Sequence, residues 1–249
     1  MNAVALSRPV PLLIIAAAWE AATRGGLISP YALPPFSDVV ASFLTMAADD
    51  LWFHALRSLT RGGAGLGLAI AIGVTSGVLM AWYRPFRTLV NPIIRFFYPL
   101  PKSALIPITI MWLGLGDMSK IVLIFIGCML PIVVSSYNAT RGVEEVLIWS
   151  ARGLGANNRE VLWEVVIPAA LPEILNGIRT SLALAFILLV SSELILSRDG
   201  LGYLIGFLGE GGDYAGMFAG VATIAALGFT CDRLYVALTN RLLAWRTAA

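Results

Sequence analysis

The chain has 249 residues, of which 58% are apolar and only 13% charged, with a net charge of +2. A soluble domain carries about 25% charged residues, so this is a polytopic membrane protein, and its length suits one helical bundle without a separate soluble domain. The small net charge and scattered basic residues exclude a nucleic-acid-binding protein.

Other classes fall to residue types. The lysines, Lys102 and Lys120, do not follow glycine. A P-loop needs Gly-Lys before Ser or Thr to hold phosphates, so ATP-driven work must come from a partner. Cys128 and Cys231 lie in apolar runs with no zinc or redox spacing and read as free thiols. His54 is the single histidine and has no second ligand nearby, so it reads as an interfacial residue rather than a metal site. No paired carboxylates, histidine cluster or nucleophile elbow marks a catalytic site.

In chain order, residues 10–22 form an apolar stretch behind Arg8. A cleaved leader and a retained span both fit, the run being short and Ala16, Ala17 and Ala18 small. Glu20, near its outer end, is in reach of the interface. Residues 25–59 are more polar, with Pro30, Pro34 and Pro35 and then Asp38, Asp49 and Asp50. They predict an external loop and a surface helix capped by Ser37 or Asp38, with Val39, Val40, Phe43, Leu44 and Met46 as its apolar face.

Residues 62–83 are a second span of about the 20 residues that cross a bilayer. Gly63, Gly67, Gly73 and Gly77 form two small-xxx-small pairs for close helix approach. Arg84 and Arg87 mark a short turn. The third span, 89–115, is broken by Pro92, Pro99, Pro101 and Pro107 and carries Arg95 and Lys102. Irregular backbone at membrane depth is tolerated where it lines a cavity, which makes Arg95, Tyr98 and Lys102 candidates for a solute pathway. Residues 119–138 are the fourth span.

Residues 144–178 are the longest charge-rich stretch. Gly153 and Gly155 close one short helix, and Asn157 or Asn158 caps the next, with Glu160 three residues after Asn157 as in a capping box. Pro168 is expected to interrupt that helix, and Pro172 suits the first turn of another. The unit reads as a soluble docking surface able to pass a push to the bundle. Residues 173–196 are the fifth span, with Arg179 near its start and Glu193, another pathway candidate, towards the far side. The glycine-rich residues 197–215, with Asp199, Glu210 and Asp213, predict a re-entrant or external gate-like segment. Residues 217–245 contain the sixth span, with Asp232 and Arg233 near its inner third.

Placing Arg8, Arg84, Arg87, Arg141, Arg152, Arg159, Arg241 and Arg246 on the cytoplasmic side puts both termini and residues 144–172 there. Arg24, Arg57, Arg61, Lys120 and Arg198 then fall outside.

The spacing of Ala151, Gly155, Val165, Ile167 and Pro168 resembles the EAA signature of ABC-importer permeases. Leu154-Gly155-Ala156 and the run from Pro168 to Pro172 resemble the version in permeases for nitrate, sulfonates and taurine. Trp149-Ser150 stands where the signature begins with Glu-Ala, and Val165 where Ile is usual. Residues 98–107, 112–120 and 200–203 also look like that family, so the resemblance runs from about Ser58 to the C-terminus. It implies an all-α bundle of about six transmembrane helices, with residues 1–60 as a retained first helix and external loop, and residues 61–249 as the permease core. It implies no cofactor on this chain, with ATP and Mg held by two copies of an ATPase subunit. A second copy of the chain, an external substrate-binding protein and the bacterial inner-membrane bilayer complete the implied set of partners. The ATPase contact falls on Ala151, Leu154, Gly155, Ala156, Asn157, Arg159, Glu160, Pro168 and Pro172. The rival reading is a secondary transporter or channel, with Glu193 or Lys102 as its coupling charge.

Overall fold

The computed structural model describes residues 10–246, and all regular structure among them is helical. Arg8 lies outside the described residues. The helices are α1 (Val10–Arg24), α2 (Phe36–Ala47), α3 (Leu51–Trp82), α4 (Arg84–Phe97) and α5 (Leu105–Leu113). There follow α6 (Asp117–Arg141), α7 (Glu145–Gly153), α8 (Asn158–Leu196), α9 (Leu201–Glu210) and α10 (Tyr214–Leu242). Four of these, α3, α6, α8 and α10, are long and apolar enough to cross a membrane. The expected broken span is α4 followed by Lys102–Leu113, bent by 83°, where Pro99 and Pro101 cannot continue a helix. Among the described residues this makes four or five spans by length and composition, near the six expected, and the described part of α1 has 15 residues.

Helix α3 begins at Leu51, well before the expected start of the second span. Leu51, Ala55, Ser58, Arg61 and Gly65 are buried at helical spacing, and the polar members of that stripe are paired inside the bundle. The glycine pairing also differs. Gly73 and Gly77 do face α6, where a Cβ would lie 2.8 Å from Ile132 and 2.6 Å from Ser136 and the Val133 carbonyl. Gly63 and Gly67 have nothing within 4 Å. Gly65 and fully buried Ala69 complete the stripe instead, giving a small residue every fourth position along the contact.

Helix α6 is the centre. Leu123, Ile124, Cys128 and Ile132 pack between Leu66, Ala69 and Val78 of α3 and Ile174, Ile178, Leu188 and Leu189 of α8. Cys128 is a buried free thiol.

Three local expectations are corrected. Helix α2 has Pro35 at its cap position and no cap from Ser37 or Asp38; the Ser37 backbone N–H instead donates to Glu20 of α1 at 3.0 Å. Second, Pro168 and Pro172 do not divide the chain: α8 is continuous through both. A π-helical stretch, Val161–Val166, precedes Pro168, and the Ile167 N–H reaches back to the Leu162 carbonyl. That wider turn shifts the hydrogen-bond register just before a residue with no N–H to give. Third, Arg84 and Arg87 belong to the first turn of α4 rather than to a loop, with Pro85 in that turn.

Candidate functional site

Two groups of candidate residues stand at opposite ends of the bundle, because α6 begins beside one, at Asp117, and ends at Arg141 beside the other.

At the Arg141 end, α7 closes in a Schellman turn. The Gly155 N–H donates to the Arg152 carbonyl at 3.0 Å and the Ala156 N–H to the Ala151 carbonyl at 3.1 Å, with Gly155 at φ +93°. That pattern wants glycine at the left-handed position. Gly155 therefore makes the corner, while Gly153 is the last residue of α7. Asn157, rather than Asn158, is the cap. Its Oδ1 accepts from the N–H groups of Arg159 and Glu160 at 2.9 and 3.1 Å, and the Glu160 carboxylate accepts from the Asn157 N–H at 2.8 Å. Ala151 and Ala156 turn inward against the core, and fully buried Val161 seats the loop. Leu154, 90% exposed, and the exposed Trp149 and Trp163 form its outer rim. Pro168 and Pro172 are half-buried in α8 behind it. A rigid corner that presents apolar side chains to solvent is suited to docking.

Of the pathway candidates, Arg95 and Tyr98 line a cavity of about 400 Å³ with Asn91, Tyr137 and Asn138. Lys102 lines a separate, more apolar one of about 240 Å³ with Phe97 and Met129. Its ammonium donates to the Tyr98 carbonyl and lies 5.2 Å from the Tyr98 ring centre. Tyr98 thus shares a cavity with Arg95 and touches Lys102, while Arg95 and Lys102 line different cavities and Glu193 lines neither. It is 1% exposed at the other end of the bundle.

There Glu193 belongs to a charge cluster that sequence reasoning missed. Arg61, 3% exposed, donates Nε to Asp117 at 2.7 Å, Nη1 to Glu193 at 2.9 Å and to the Asp199 carbonyl at 3.0 Å, and Nη2 to the Asp199 carboxylate. Arg57 reaches Asp117 and Asp199 at 3.1 and 3.2 Å. Lys120, equally buried, donates its ammonium to the carbonyls of Leu115 and Leu196 at 2.5 and 3.1 Å, closing the ends of α5 and α8. Arg57 and Arg61 thus meet Asp117, Glu193 and Asp199, while the Lys120 ammonium is held by backbone carbonyls, so each of these charges has partners in a place where an unpaired one costs several kcal/mol. Partial burial works against the Asp199 charge, but the bonds and charges of Arg61 and Arg57 outweigh it and hold that carboxyl below its ordinary range.

The same cluster caps α9 from outside. The N–H groups of Gly200, Leu201 and Gly202 donate to His54 Nδ1 at 3.0 Å, Ser58 Oγ at 2.9 Å and Glu193 Oε2 at 3.0 Å. Ser58 Oγ also donates to Glu193 at 2.7 Å. His54 is therefore a buried structural residue, 6% exposed, and not an interfacial one. The clue available in the sequence was the stripe through Leu51, Ser58 and Arg61, which is helical rather than loop-like.

Over residues 69–244 the chain matches the family described as binding-protein-dependent transport system inner membrane component. The chain belongs to that family. This permease is 36% identical over 240 residues to the taurine transport system permease protein TauC of Escherichia coli (strain K12), covering 94% of the permease and 87% of the relative. It is 31% identical to the putative aliphatic sulfonates transport permease protein SsuC of Bacillus subtilis (strain 168), covering 94% and 86%. In fold it resembles a chain of the MetNI methionine ABC transporter in an inward facing conformation, with a TM-score of 0.62 at 22% identity over 78% of the permease and 95% of that chain. A chain of an amino acid ABC transporter with histidines gives 0.63 at 14% identity over 80% and 96%. The permease is thus an integral membrane transport component with the all-α bundle expected, not an enzyme.

Proposed function

We propose that the permease forms, as two copies, the pathway of an ATP-driven importer for a small organic or inorganic anion of the sulfonate, taurine or nitrate kind. Two copies of a separate ATPase dock on the corner between α7 and α8, hold the ATP and Mg, and work the bundle through it. The contact residues are Ala151, Leu154, Gly155, Ala156, Asn157, Arg159 and Glu160, backed by Pro168 and Pro172. An external binding protein delivers the solute to the opposite end. Both termini face the cytoplasm of a bacterial cell, on the side of Arg84, Arg87, Arg141, Arg152 and Arg159.

The observation that carries this reading is the rigid corner itself. Its Schellman turn and capping box fix the backbone, while Leu154 and Trp163 stay exposed at 90% and 62%. Apolar side chains held in a fixed frame at the mouth of a membrane bundle fit a permanent protein partner. The taurine and sulfonate permeases named above support the substrate class. Arg95, Tyr98 and Lys102 supply cationic and hydroxyl groups along the solute route, and Glu193, buried in its ion cluster, braces the bundle away from it. ATP binding shifts the bundle only as far as the docked ATPase differs in affinity for its two states.

The test is uptake of labelled taurine into liposomes holding the permease, its ATPase and its binding protein. Accumulation that needs ATP and all three components is expected. Accumulation by the permease alone, driven by an ion gradient, overturns the proposal in favour of a secondary transporter.

A further inference from the structure

We infer that α4 and the end of α6 together hold the headgroup of an acidic phospholipid. Along α4, Arg84, Arg87, Asn91 and Arg95 recur every three or four residues and so share one face of the helix. The rest of α4 is apolar. Val90 and Ile94 pack on Met80 of α3 and on Leu130 and Val133 of α6, while Leu89, Ile93 and Phe96 are exposed. None of the other long helices separates polar from apolar so sharply. An arginine stripe beside bare leucine, isoleucine and phenylalanine suits the boundary between headgroups and acyl chains.

The charge on that face is not answered from within the chain. Every ion pair among the described residues is made by Arg24, His54, Arg57, Arg61 or Arg179. Arg84, Arg87, Arg95 and Arg141 therefore have no carboxylate at ion-pair distance, in contrast to Arg57 and Arg61 at the opposite end. Two of the four converge on one side chain. Arg141 Nη1 donates to the Tyr137 hydroxyl at 3.2 Å, with its guanidinium carbon 5.9 Å from the centre of that ring, and Arg87 of α4 stands beside the same hydroxyl. Tyr137 is half-buried against the cluster that joins α4 to α6, which fixes the place where the two cations meet. Its own O–H has no acceptor among the described residues, so a phosphodiester seated there receives that hydroxyl as well as charge-assisted bonds from both guanidiniums. The bare apolar flank of α4 alongside calls for a ligand with hydrocarbon attached, which a soluble anion lacks. With the orientation proposed above, this end faces the cytoplasmic leaflet, whose acidic lipids are drawn to basic pockets between membrane helices. Arg95, assigned above to the solute route, lies about 12 Å further along the helix than Arg87, so the two roles fall on different turns.

The test takes the full chain in detergent, stripped of lipid, and reads by native mass spectrometry how much more tightly it keeps phosphatidylglycerol than phosphatidylcholine with the same acyl chains. A preference of about tenfold or more is expected, since each arginine beside an acidic lipid is worth about fivefold. Arg87→Gln combined with Arg141→Gln should bring the preference within about twofold of unity. Arg233→Gln combined with Arg241→Gln removes the same charge from exposed positions of α10 and should leave the preference intact. In nanodiscs, phosphatidylglycerol with a photoreactive headgroup is expected to crosslink to residues 84–98 and 133–141, and this decides the matter alone should the first double variant not fold. The inference is overturned if the unaltered chain keeps both lipids alike, if the α10 variant loses as much as the other, or if the crosslinks fall elsewhere. Displacement of the lipid by taurine or inorganic phosphate also overturns it, since the site then serves soluble anions. So does a first double variant that loses self-association and not lipid, which assigns the face to a second copy of the chain. These readouts concern the permease chain only, so a failure of ATP-driven uptake leaves them unaffected.

Discussion

Arg61 shows how a membrane bundle holds an ion it cannot hydrate. Its guanidinium is buried, yet each of its three nitrogens has an oxygen partner. Replacing it by leucine strands the Glu193 carboxylate, so Arg61→Leu is expected to cost about 3 to 5 kcal/mol, the range for breaking a buried pair. The double change Arg61→Leu with Glu193→Leu should recover part of that loss. Unfolding midpoints in detergent measure both, and a single variant as stable as wild type removes the cluster from the account of stability. Asp199 adds a pH dependence of known sign. Its folded-state pKa is depressed, so its contribution is present above the ordinary aspartate value of about 3.9 and is lost as pH falls through the lower, folded one. Asp199→Asn should flatten the stability-versus-pH curve in that acid window, with little change in its slope above pH 5.

At the scale of elements, the contact between α3 and α6 depends on which glycines face inward. Gly77→Leu drives a side chain into Ser136 and Val133, and overpacking of this kind costs about 1 to 3 kcal/mol. Gly67→Leu points into open space and should be near neutral. Equal midpoints for the two variants would refute the packing register. The same pair shows what sequence reading reached. It found that the helix is glycine-striped, but not that Gly65 and Ala69 complete the stripe in place of Gly63 and Gly67, since the inward side is chosen by a partner helix. The backbone of the corner between α7 and α8 was legible almost in full, because its Schellman turn and its capping box close within a few residues of one another. The caps of α2 and α9 were not, because they come from Glu20, His54, Ser58 and Glu193 on other helices. Pro168 misled for a related reason: the π turn that accommodates it leaves no mark in composition.

Across the whole molecule, α8 joins the corner that follows α7 to the charge cluster. Its 39 residues span about 58 Å at the ordinary helical rise, and its first turns are seated by fully buried Val161 and Val166. On the proposed function, a push on the corner would travel to Glu193 through one continuous helix, provided the corner transmits it. Gly155 decides that. At φ +93° a β-branched residue is strained by roughly 1 to 3 kcal/mol, although nothing lies within 4 Å of its would-be Cβ. Gly155→Val should thus leave the bundle folded while remodelling the turn that aims α7. In liposomes with the ATPase and binding protein, uptake is expected to fall at least tenfold while ATP hydrolysis continues. Gly153→Ala, in regular helix with equally open space, is the control and should transport normally. Normal uptake by Gly155→Val would mean that force enters the bundle by some route other than this corner.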